Sequence, residues 1–407
     1  MINLEVPKKA QPLIDQAHQV AEHVLRPISR KYDLAEHERS KELDMLAAMI
    51  DGLNEGDAGG GAGATGVRRS AEEATDGAKP KNRNGSNLST VLSIMEMCWG
   101  DVGLTLSIPR QGLGNSAIAS VADEEQLKRY EGRWAAMAIT EPEAGSDSAS
   151  IRTTAVLDGD EYVLNGEKIY VTAGERADLV VVWATLDRDA GRAAIKSFVV
   201  ERSNPGMKLD RLEHKLGIRA SDTAAFRLED CRVPKEDLLG SPEINTGAGF
   251  GGVMQTFDNT RPLVAGMAVG VARACLEHTH DALVNAGVVI DRSRPLLSQS
   301  AAVARFLEME ADYDAARLLT MSAAWMADNS KPNSLQASMA KAKAGRMGVD
   351  VALGCIELLG AAGYGESELL EKWARDVKIL DLFEGTQQIQ LLIVARQLLK
   401  KSSSELK

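Results

Sequence analysis

The sequence predicts an α+β multidomain protein with an N-terminal helical domain, a middle β domain of sandwich or barrel type, and a C-terminal four-helix bundle. Three zones of different texture predict this fold class. Residues 1–135 repeat apolar side chains at three- and four-residue spacing, which is typical of amphipathic helices. Residues 136–240 carry short apolar runs between turn residues, which indicates strands. Residues 241–407 return to long helical patterns, and four such helices with apolar stripes make a bundle.

The N-terminal zone contains helical runs such as LIDQAHQVAEHVLRPI at 13–28 and KELDMLAAMIDGL at 41–53. After the second of these runs, at 54–87, comes a segment rich in Gly and polar residues. It is almost free of large apolar residues and so has nothing with which to build a core. We expect it to be a flexible insert, and long loops of this kind in a compact domain often serve function.

The middle zone alternates apolar runs with turn residues. Its runs are YVLNG at 162–166, IYVT at 169–172, LVVVWATL at 179–186 and SFVVE at 197–201. Enrichment in β-branched residues supports strands over helices. In the C-terminal zone the closing run ends in an apolar stretch that predicts a buried helix.

Composition narrows the class of protein. The 407 residues are 44% hydrophobic and 26% charged, which is ordinary for a globular chain. A net charge of −11 argues against nonspecific binding to nucleic acid or anionic membrane. No stretch approaches the roughly 20 apolar residues that span a bilayer. The N-terminal residues show no apolar signal core, so a cytoplasmic location is expected.

The cysteines and histidines do not predict a metal site. The four cysteines lie far apart, without a CxxC pair, and read as buried small hydrophobes in a reducing compartment. The six histidines form no HExxH motif. His278 and His280, two residues apart on a predicted helix, do not share a face. We therefore expect no metal.

A single carboxylate near the C-terminus raises the main functional question. Glu384 stands in FEGTQQIQ, between Phe383 and Gly385, before a predicted buried helix. An exposed first-turn acid is the ordinary interpretation, and a catalytic base is the alternative. Upstream, TEPEAGSD at 140–147 follows a strand-like run, so it predicts either a surface turn or a loop that gives polar groups to an apolar ligand.

Four motifs together resemble the acyl-CoA dehydrogenase family. They occur in the family's order and cover the chain from about residue 90 to 400: TEPEAGSD (140–147), NGEKIYVTAG (165–174), GAGFGGVMQTFDNTRP (247–262) and FEGTQQIQLLIVAR (383–396). The predicted α–β–α order is similar to that family's architecture. The resemblance implies FAD as cofactor and a fatty or other carboxylic acyl-CoA as substrate.

The resemblance also assigns roles to individual residues. Glu384 corresponds to the catalytic base that removes the α-proton, while Thr260, where some relatives keep their base, cannot serve. The cofactor would contact Ile139, Thr140, Tyr170, Thr172, Arg292, Gly360, Gly363, Thr386 and Gln388. The acyl-CoA would contact Ser146, Asp258, Arg261 and Gly385. For Arg261 the alternative is a plain helix ion pair with Asp258 at i,i+3.

Two segments depart from the family pattern where it reaches the neighbouring subunit's FAD. VVIDRSRPLLSQS at 288–300 lacks the usual Thr-Phe-Gly, although Arg292 and Arg294 remain. ELLGAAGYG at 357–365 has Glu357 in place of an amide and Ala361 in place of a glycine. A mixed oligomer whose partner completes the FAD site would explain both, and the alternative is a homo-oligomer, dimer or tetramer, with a rearranged site.

The resemblance implies an FAD-dependent acyl-CoA dehydrogenase that forms the trans-2-enoyl-CoA in fatty acid β-oxidation and passes electrons to an electron-transfer flavoprotein. Two alternatives stay open. An acyl-CoA oxidase on the same fold would differ in how oxygen reaches the reduced flavin. A scaffold subunit of limited activity would keep the fold without turnover, although an intact Glu384 argues against it.

Overall fold

The computed structural model describes residues 5–56, 85–110, 113–244, 251–402 and 405; the side chains of 49–56 and 251–259 are outside this description. Most of the predicted flexible insert, residues 57–84, therefore lies outside the described residues. Its two ends are helical, because one helix reaches Gly56 and the next begins at Ser86. The predicted α+β class, with a central β domain between helical parts, is confirmed.

The N-terminal part is helical. Pro12 stands in the first turn of α1, where a missing N–H costs nothing. Pro27 lies inside a continuous helical segment, directly after a π-helical turn. Asp123 and Gln126 form a reciprocal capping box at the start of α7. The helices are α1 Gln11–Val20, a π-helical turn Ala21–Leu25, α2 Arg26–Leu34, α3 Lys41–Gly56, α4 Ser86–Gly100, α5 Val102–Thr105, α6 Leu113–Val121 and α7 Glu124–Arg129.

The middle part is one eight-stranded sheet in the order β6-β7-β3-β2-β4-β5-β8, with β1 parallel to β4. The other long pairings are antiparallel. The strands are β1 Ala135–Ala138, β2 Thr154–Asp158, β3 Glu161–Thr172, β4 Leu179–Thr185, β5 Ile195–Glu201, β6 Met207–Leu212, β7 Thr223–Pro234 and β8 Leu238–Leu239.

Strand β4 shows why the apolar run LVVVWAT forms a central strand. Every residue of it is buried. Val180 and Val182 pack into the core of the sheet, whereas Leu179 and Val181 face a second cluster formed with α6 and α7. A strand covered on both faces reads as a continuous apolar run rather than an alternating one.

The C-terminal part is a helical bundle, as predicted. Its helices are α8 Gly251–Asn285, α9 Ala301–Asp328, α10 Ser334–Leu359, α11 Ala361–Tyr364, α12 Leu370–Val377 and α13 Gln387–Leu399. Helix α4 of the N-terminal part belongs to the same apolar core, since its inner face is buried with α8. Gly270 permits this contact, because a Cβ there would come within 2.2 Å of the Met95 carbonyl oxygen. The division into three domains at 135 and 240 stays a prediction.

A fully buried charge network joins all three parts. The Lys372 ammonium donates to Asp101 Oδ2 at 2.7 Å and to Asp376 Oδ2 at 2.5 Å. Asp101 also accepts from Ser29 Oγ, and Asp376 Oδ1 accepts from the Ile218 amide at 2.6 Å. Asp101 thus links the N-terminal helices to helix α12. Ile218 links the β6–β7 connection to the same helix.

Asp328, at the end of α9, holds the beginning of α4. Its carboxylate accepts from the backbone amides of Gly85 at 2.9 Å, Asn87 at 2.9 Å and Leu88 at 3.1 Å, and from Asn87 Nδ2 at 3.0 Å. Gly85, the residue before the helix, offers no capping side chain. The carboxylate therefore replaces an N-cap from a distant part of the chain.

We expect Asp328→Ala to lower the free energy of unfolding by about 2–3 kcal/mol, because an N-cap is worth about 1 kcal/mol and buried amides lose their acceptor as well. Hydrogen exchange should accelerate first at the amides of Asn87 and Leu88. Asp314→Ala, an exposed change on the same helix, is the control. Unchanged protection of those two amides in Asp328→Ala would contradict the remote cap.

Cys98, Cys231, Cys275 and Cys355 are free thiols, and the prediction that they are buried is confirmed. The reducing compartment stays a prediction. No described helix has both the length and the apolar character that crossing a membrane requires.

Candidate active site

Glu384 lies on a strained loop between α12 and α13. Its φ is 53° and that of Gly385 is 90°, so two consecutive residues have left-handed backbone. This conformation suits glycine but costs roughly 1–3 kcal/mol at other residues, and it persists where the surroundings enforce it. Thr386 begins α13 by accepting from the Ile389 amide at 3.3 Å. Buried Gln390 donates from Nε2 to the Glu384 carbonyl at 3.0 Å, which fixes the loop.

Two bundle helices surround the Glu384 side chain. The Thr260 hydroxyl of α8 hydrogen-bonds the Glu384 carboxyl group. From α10, the Lys341 ammonium donates to the Gly385 carbonyl at 2.6 Å. Oxygen Oε2 of Glu384 is buried and has no hydrogen-bond partner among the described residues. One oxygen of the carboxyl group is therefore left without a hydrogen bond from the described protein.

The neighbouring positive charges and burial shift the pKa of Glu384 in opposite directions. Burial raises the pKa of Glu384, while the Thr260 hydrogen bond and the positive charges of Lys341 and Arg261 oppose the rise. Burial also lowers the pKa of Lys341 to about 8, against the pull of Asp381 and Glu384. A buried acid with a raised pKa next to fixed cations is typical of a functional site.

Arg261 lies deep beside this acid. Its side chain is only 3% exposed, and Nη1 donates to Ser338 Oγ at 3.5 Å. The structure thus places Arg261 near Glu384, a proximity that the sequence did not predict. Its predicted contact with CoA stays a prediction, and the side chain of its possible ion-pair partner Asp258 lies outside the described residues.

In the β domain, a buried ion pair supports the loop that carries TEPEAGSD. The Lys168 ammonium is fully buried and donates to Glu141 Oε1 at 2.7 Å and to the Ile139 carbonyl at 3.1 Å. Glu141 also accepts from the amides of Arg152 and Thr153, at 2.6 and 3.0 Å. Burial lowers the pKa of Lys168 to about 8, while Glu141 opposes the shift. The motif was identified from sequence, but this support for it was missed.

Beside that loop, β3 presents Tyr170 to solvent. The pairing of β3 with β7 shifts register between Lys168 and Val171, and Tyr170 has a φ of 58°. A bulge of this kind turns a side chain out of the sheet, and the Tyr170 side chain is 62% exposed. The amide of Ile169 donates to the Thr140 carbonyl at 2.9 Å, so Tyr170 lies next to the loop.

The remaining predicted residues lie on the surface or at helix ends. Ser146 and Gln388 are exposed, and Thr172 is half-buried in β3. Arg292 forms an ion pair with Glu310 at 2.5 Å. Gly360, with a φ of 57°, ends α10, and Gly363 is buried where a Cβ would approach Leu370 to 3.2 Å. Their roles toward a cofactor stay predictions.

Comparison with known proteins decides the family. The family descriptions "Acyl-CoA dehydrogenase, middle domain" and "Acyl-CoA dehydrogenase, C-terminal domain" match residues 136–231 and 247–399. Probable acyl-CoA dehydrogenase YngJ of Bacillus subtilis (strain 168) is 34% identical over 325 residues, which cover 78% of this chain and 83% of that protein. The chain belongs to the acyl-CoA dehydrogenase family.

Two further similarities support the assignment to the acyl-CoA dehydrogenases. The mitochondrial short-chain specific acyl-CoA dehydrogenase of Mus musculus is 38% identical over 267 residues; the match covers 66% of this chain and spans only 63% of the mouse protein's length. The structure of butyryl-CoA dehydrogenase from Megasphaera elsdenii has a TM-score of 0.79 and 27% identity, and covers 98% of this chain and 100% of that one.

Acyl-CoA dehydrogenases are FAD-dependent flavoproteins, and the residues present fit that cofactor. Exposed Tyr170 offers a flat aromatic face next to Ile139 and Thr140, which are half-buried. A mostly apolar surface with a few hydroxyl and backbone groups in fixed positions suits a planar ring system. The buried ion pair between Lys168 and Glu141 supports this surface from within the sheet.

Proposed function

We propose that this chain is an FAD-dependent acyl-CoA dehydrogenase that converts an acyl-CoA to its trans-2-enoyl-CoA, with Glu384 as the base. The observation that carries the proposal is the Glu384 carboxyl group, with a buried Oε2 that no described residue satisfies, on a left-handed backbone. A positioned carboxylate of raised pKa is what removal of a weakly acidic proton near neutral pH requires.

The proposal gives each residue of the site a role. Ionised Glu384 takes the α-proton of the acyl-CoA, while its backbone N–H donates to the thioester carbonyl, where negative charge develops. A Cβ at Gly385 would come within 2.4 Å of Gln390 Nε2, so glycine at this position lets Gln390 hold the loop against which the thioester would lie. Ile139, Thr140, Tyr170 and Thr172 would hold the cofactor ring. The chemistry that bound FAD would supply is acceptance of the β-hydrogen as hydride.

Thr260 and Lys341 set the protonation of the base. The Thr260 hydroxyl and the nearby positive charge favour the ionised carboxyl group, whereas burial favours the neutral one. Because Glu384 acts only when ionised, we expect turnover to rise with pH through its raised pKa. Lys341 also holds the Gly385 carbonyl, and so positions the loop as well as charging the site.

We expect Lys341→Gln to move the acidic limb of the pH profile of kcat/KM to higher pH. Removing the nearby cation makes ionisation of Glu384 harder, so the pKa of the base rises further. Lys343→Gln is the matched control, since Lys343 lies on the same helix but pairs with Asp312 at 2.8 Å. Superimposable acidic limbs for wild type and Lys341→Gln would refute the electrostatic role.

The proposed reaction is tested by adding a panel of saturated acyl-CoAs to the FAD-loaded protein without oxygen. Bleaching of the flavin absorbance and formation of the 2-enoyl-CoA are expected with at least one member. Reduction of a dye without peroxide release indicates a dehydrogenase, whereas stoichiometric peroxide in air indicates an oxidase. A flavin that no acyl-CoA of the panel bleaches would contradict the proposed reaction.

The electron acceptor and the assembly belong to the same proposal. We infer that an electron-transfer flavoprotein reoxidises the cofactor and that the chain is an oligomer. Helix α13 exposes four leucines that a monomer would leave in water, Leu391, Leu392, Leu398 and Leu399, each more than half exposed. Exposed Glu357 and Ala361 face solvent near the end of α10, where a neighbouring subunit would meet them.

Light scattering and the FAD-to-chain ratio of the separately expressed chain test the assembly. A homo-oligomer with one tightly held FAD per chain would remove the need for a different partner. An oligomer that gains FAD and activity only when mixed with a related subunit would support the mixed assembly. A monomer at micromolar concentration would contradict both.

A further inference from the structure

Three potential metal ligands lie close together at the connection between α2 and α3. They are Glu36 and His37 of that connection and His214 of the segment between β6 and β7. One ligand atom from each lies within 4.8 Å of the others. Because the two histidines are far apart in the chain, no local sequence motif indicates this cluster.

The cluster has features of a prepared site. His214 Nδ1 lies 2.8 Å from Glu36 Oε2, and the second oxygen, Oε1, accepts from the Lys215 amide at 3.1 Å. Carboxylates that bind a metal directly are commonly oriented by a further hydrogen bond, the role that the Lys215 amide has here. The nearby Lys215 ammonium donates to the Ser221 carbonyl at 2.7 Å.

His37 supplies a second, independent observation. Both of its ring nitrogens are buried, and neither has a hydrogen-bond partner among the described residues. A buried polar nitrogen without a partner costs free energy, so its place needs an explanation. Its ring centroid lies 5.2 Å from that of His214, with the planes inclined by 59°. The two rings are thus close without stacking in parallel.

We propose that Glu36, His37 and His214 bind a divalent transition-metal cation, with Zn²⁺ as the representative ion. Two imidazoles and one carboxylate are ligands that Zn²⁺ accepts, whereas Mg²⁺ and Ca²⁺ prefer oxygen ligands alone. Zinc–ligand bonds of about 2.0–2.2 Å place ligand atoms roughly 3.4 Å apart. Separations that reach 4.8 Å would therefore shorten by up to about 1.4 Å, while the 2.8 Å between His214 Nδ1 and Glu36 Oε2 would widen. Water completes the coordination, since the His214 side chain is largely exposed.

The metal would link the α2–α3 connection to the β6–β7 connection, and the latter also contacts other parts of the fold. The His37 amide already donates to the Arg219 carbonyl at 3.4 Å. The same β6–β7 segment contacts α12 through Ile218 and Asp376. A cation bound here would stabilise the contact of the N-terminal helices with the β domain, at a distance from the proposed catalytic acid.

The test uses the FAD-loaded full chain without a histidine tag, titrated with Zn²⁺ alone by calorimetry at pH 7.5. One equivalent should bind, Mg²⁺ and Ca²⁺ at the same concentration should not compete, and Co²⁺ should show visible d–d absorption. His37→Asn and His214→Asn should each weaken binding by at least about tenfold, as loss of a ligand exceeds the roughly 10–100-fold effect of outer-shell partners. His37→Asn keeps a residue type that tolerates a φ of 72°.

Glu36→Gln provides a further variant with nearly the same shape, and His280→Asn on α8 is the control that should bind as wild type does. Circular dichroism confirms that each variant is folded. The proposal is overturned if Zn²⁺ does not bind, if the three cluster variants bind it as wild type does, or if Mg²⁺ displaces it. Activity is not the readout, so failure of the proposed dehydrogenation would leave this result unaffected.

Discussion

Glu384→Gln should reduce the rate of flavin reduction by acyl-CoA by roughly 10²–10⁴-fold, the usual range for loss of a general base. Glutamine keeps the size and the hydrogen bond with Thr260 but does not accept a proton at neutral pH. The buried Oε2 that no described residue satisfies would be replaced by a neutral amide atom. Anaerobic stopped-flow absorbance of the flavin measures the effect directly.

Binding must be separated from chemistry in this experiment. We expect the Glu384→Gln protein to hold FAD and to bind acyl-CoA, because the left-handed loop is fixed by Gln390 and Lys341 rather than by the acid. Glu366→Gln, an exposed change before α12, should reduce flavin as wild type does. Flavin reduction at a near wild-type rate in the Glu384→Gln variant would refute the assignment of Glu384 as the base.

Lys372→Met should lower the free energy of unfolding by about 3–5 kcal/mol, the cost of removing one partner from a buried ion pair. The change would leave the carboxylates of Asp101 and Asp376 buried together without their cation. The attraction of these acids holds the pKa of Lys372 above its ordinary value despite burial, so the lysine stays charged through the physiological range. Urea denaturation followed by tryptophan fluorescence measures the loss.

An exposed pair gives the matched control. Lys208→Met removes the partner of Glu229, where both side chains are more than half exposed, and should cost less than about 1 kcal/mol. The Lys372→Met protein should also lose the cooperativity between β domain and bundle, because Asp376 holds the Ile218 amide. Equal stability losses for the two lysine variants would refute the importance of the junction.

The sequence was sufficient to predict the order of helices and strands. Apolar spacing separates the helical zones from the β zone, and β4 reads as a strand because Leu179, Val180, Val181 and Val182 pack on two different faces. The identity of the candidate acid followed from its motif. What the motif could not show is its strain, because a φ of 53° at Glu384 depends on Gln390 and on helix packing.

Contacts between distant residues could not be predicted in this way. Thr260 was set aside because a hydroxyl cannot replace a base, yet it hydrogen-bonds the base itself. Lys168 stands inside a predicted motif, but only the folded sheet places it under Ile139 and against Glu141. His37 and His214 meet because two connections touch, a relation that no local spacing encodes.

Helix α4 has a consequence for how this chain is made. Its inner residues, Leu88, Val91 and Met95, are buried against α8, with Val264 and Ala268 in the same core. A ribosome releases α4 long before α8, with the entire β sheet between them. Until α8 arrives, each of these side chains lacks burial worth about 1.5–3 kcal/mol. The β sheet, together with α6 and α7 on β4, is therefore positioned to fold before the inner face of α4 meets α8.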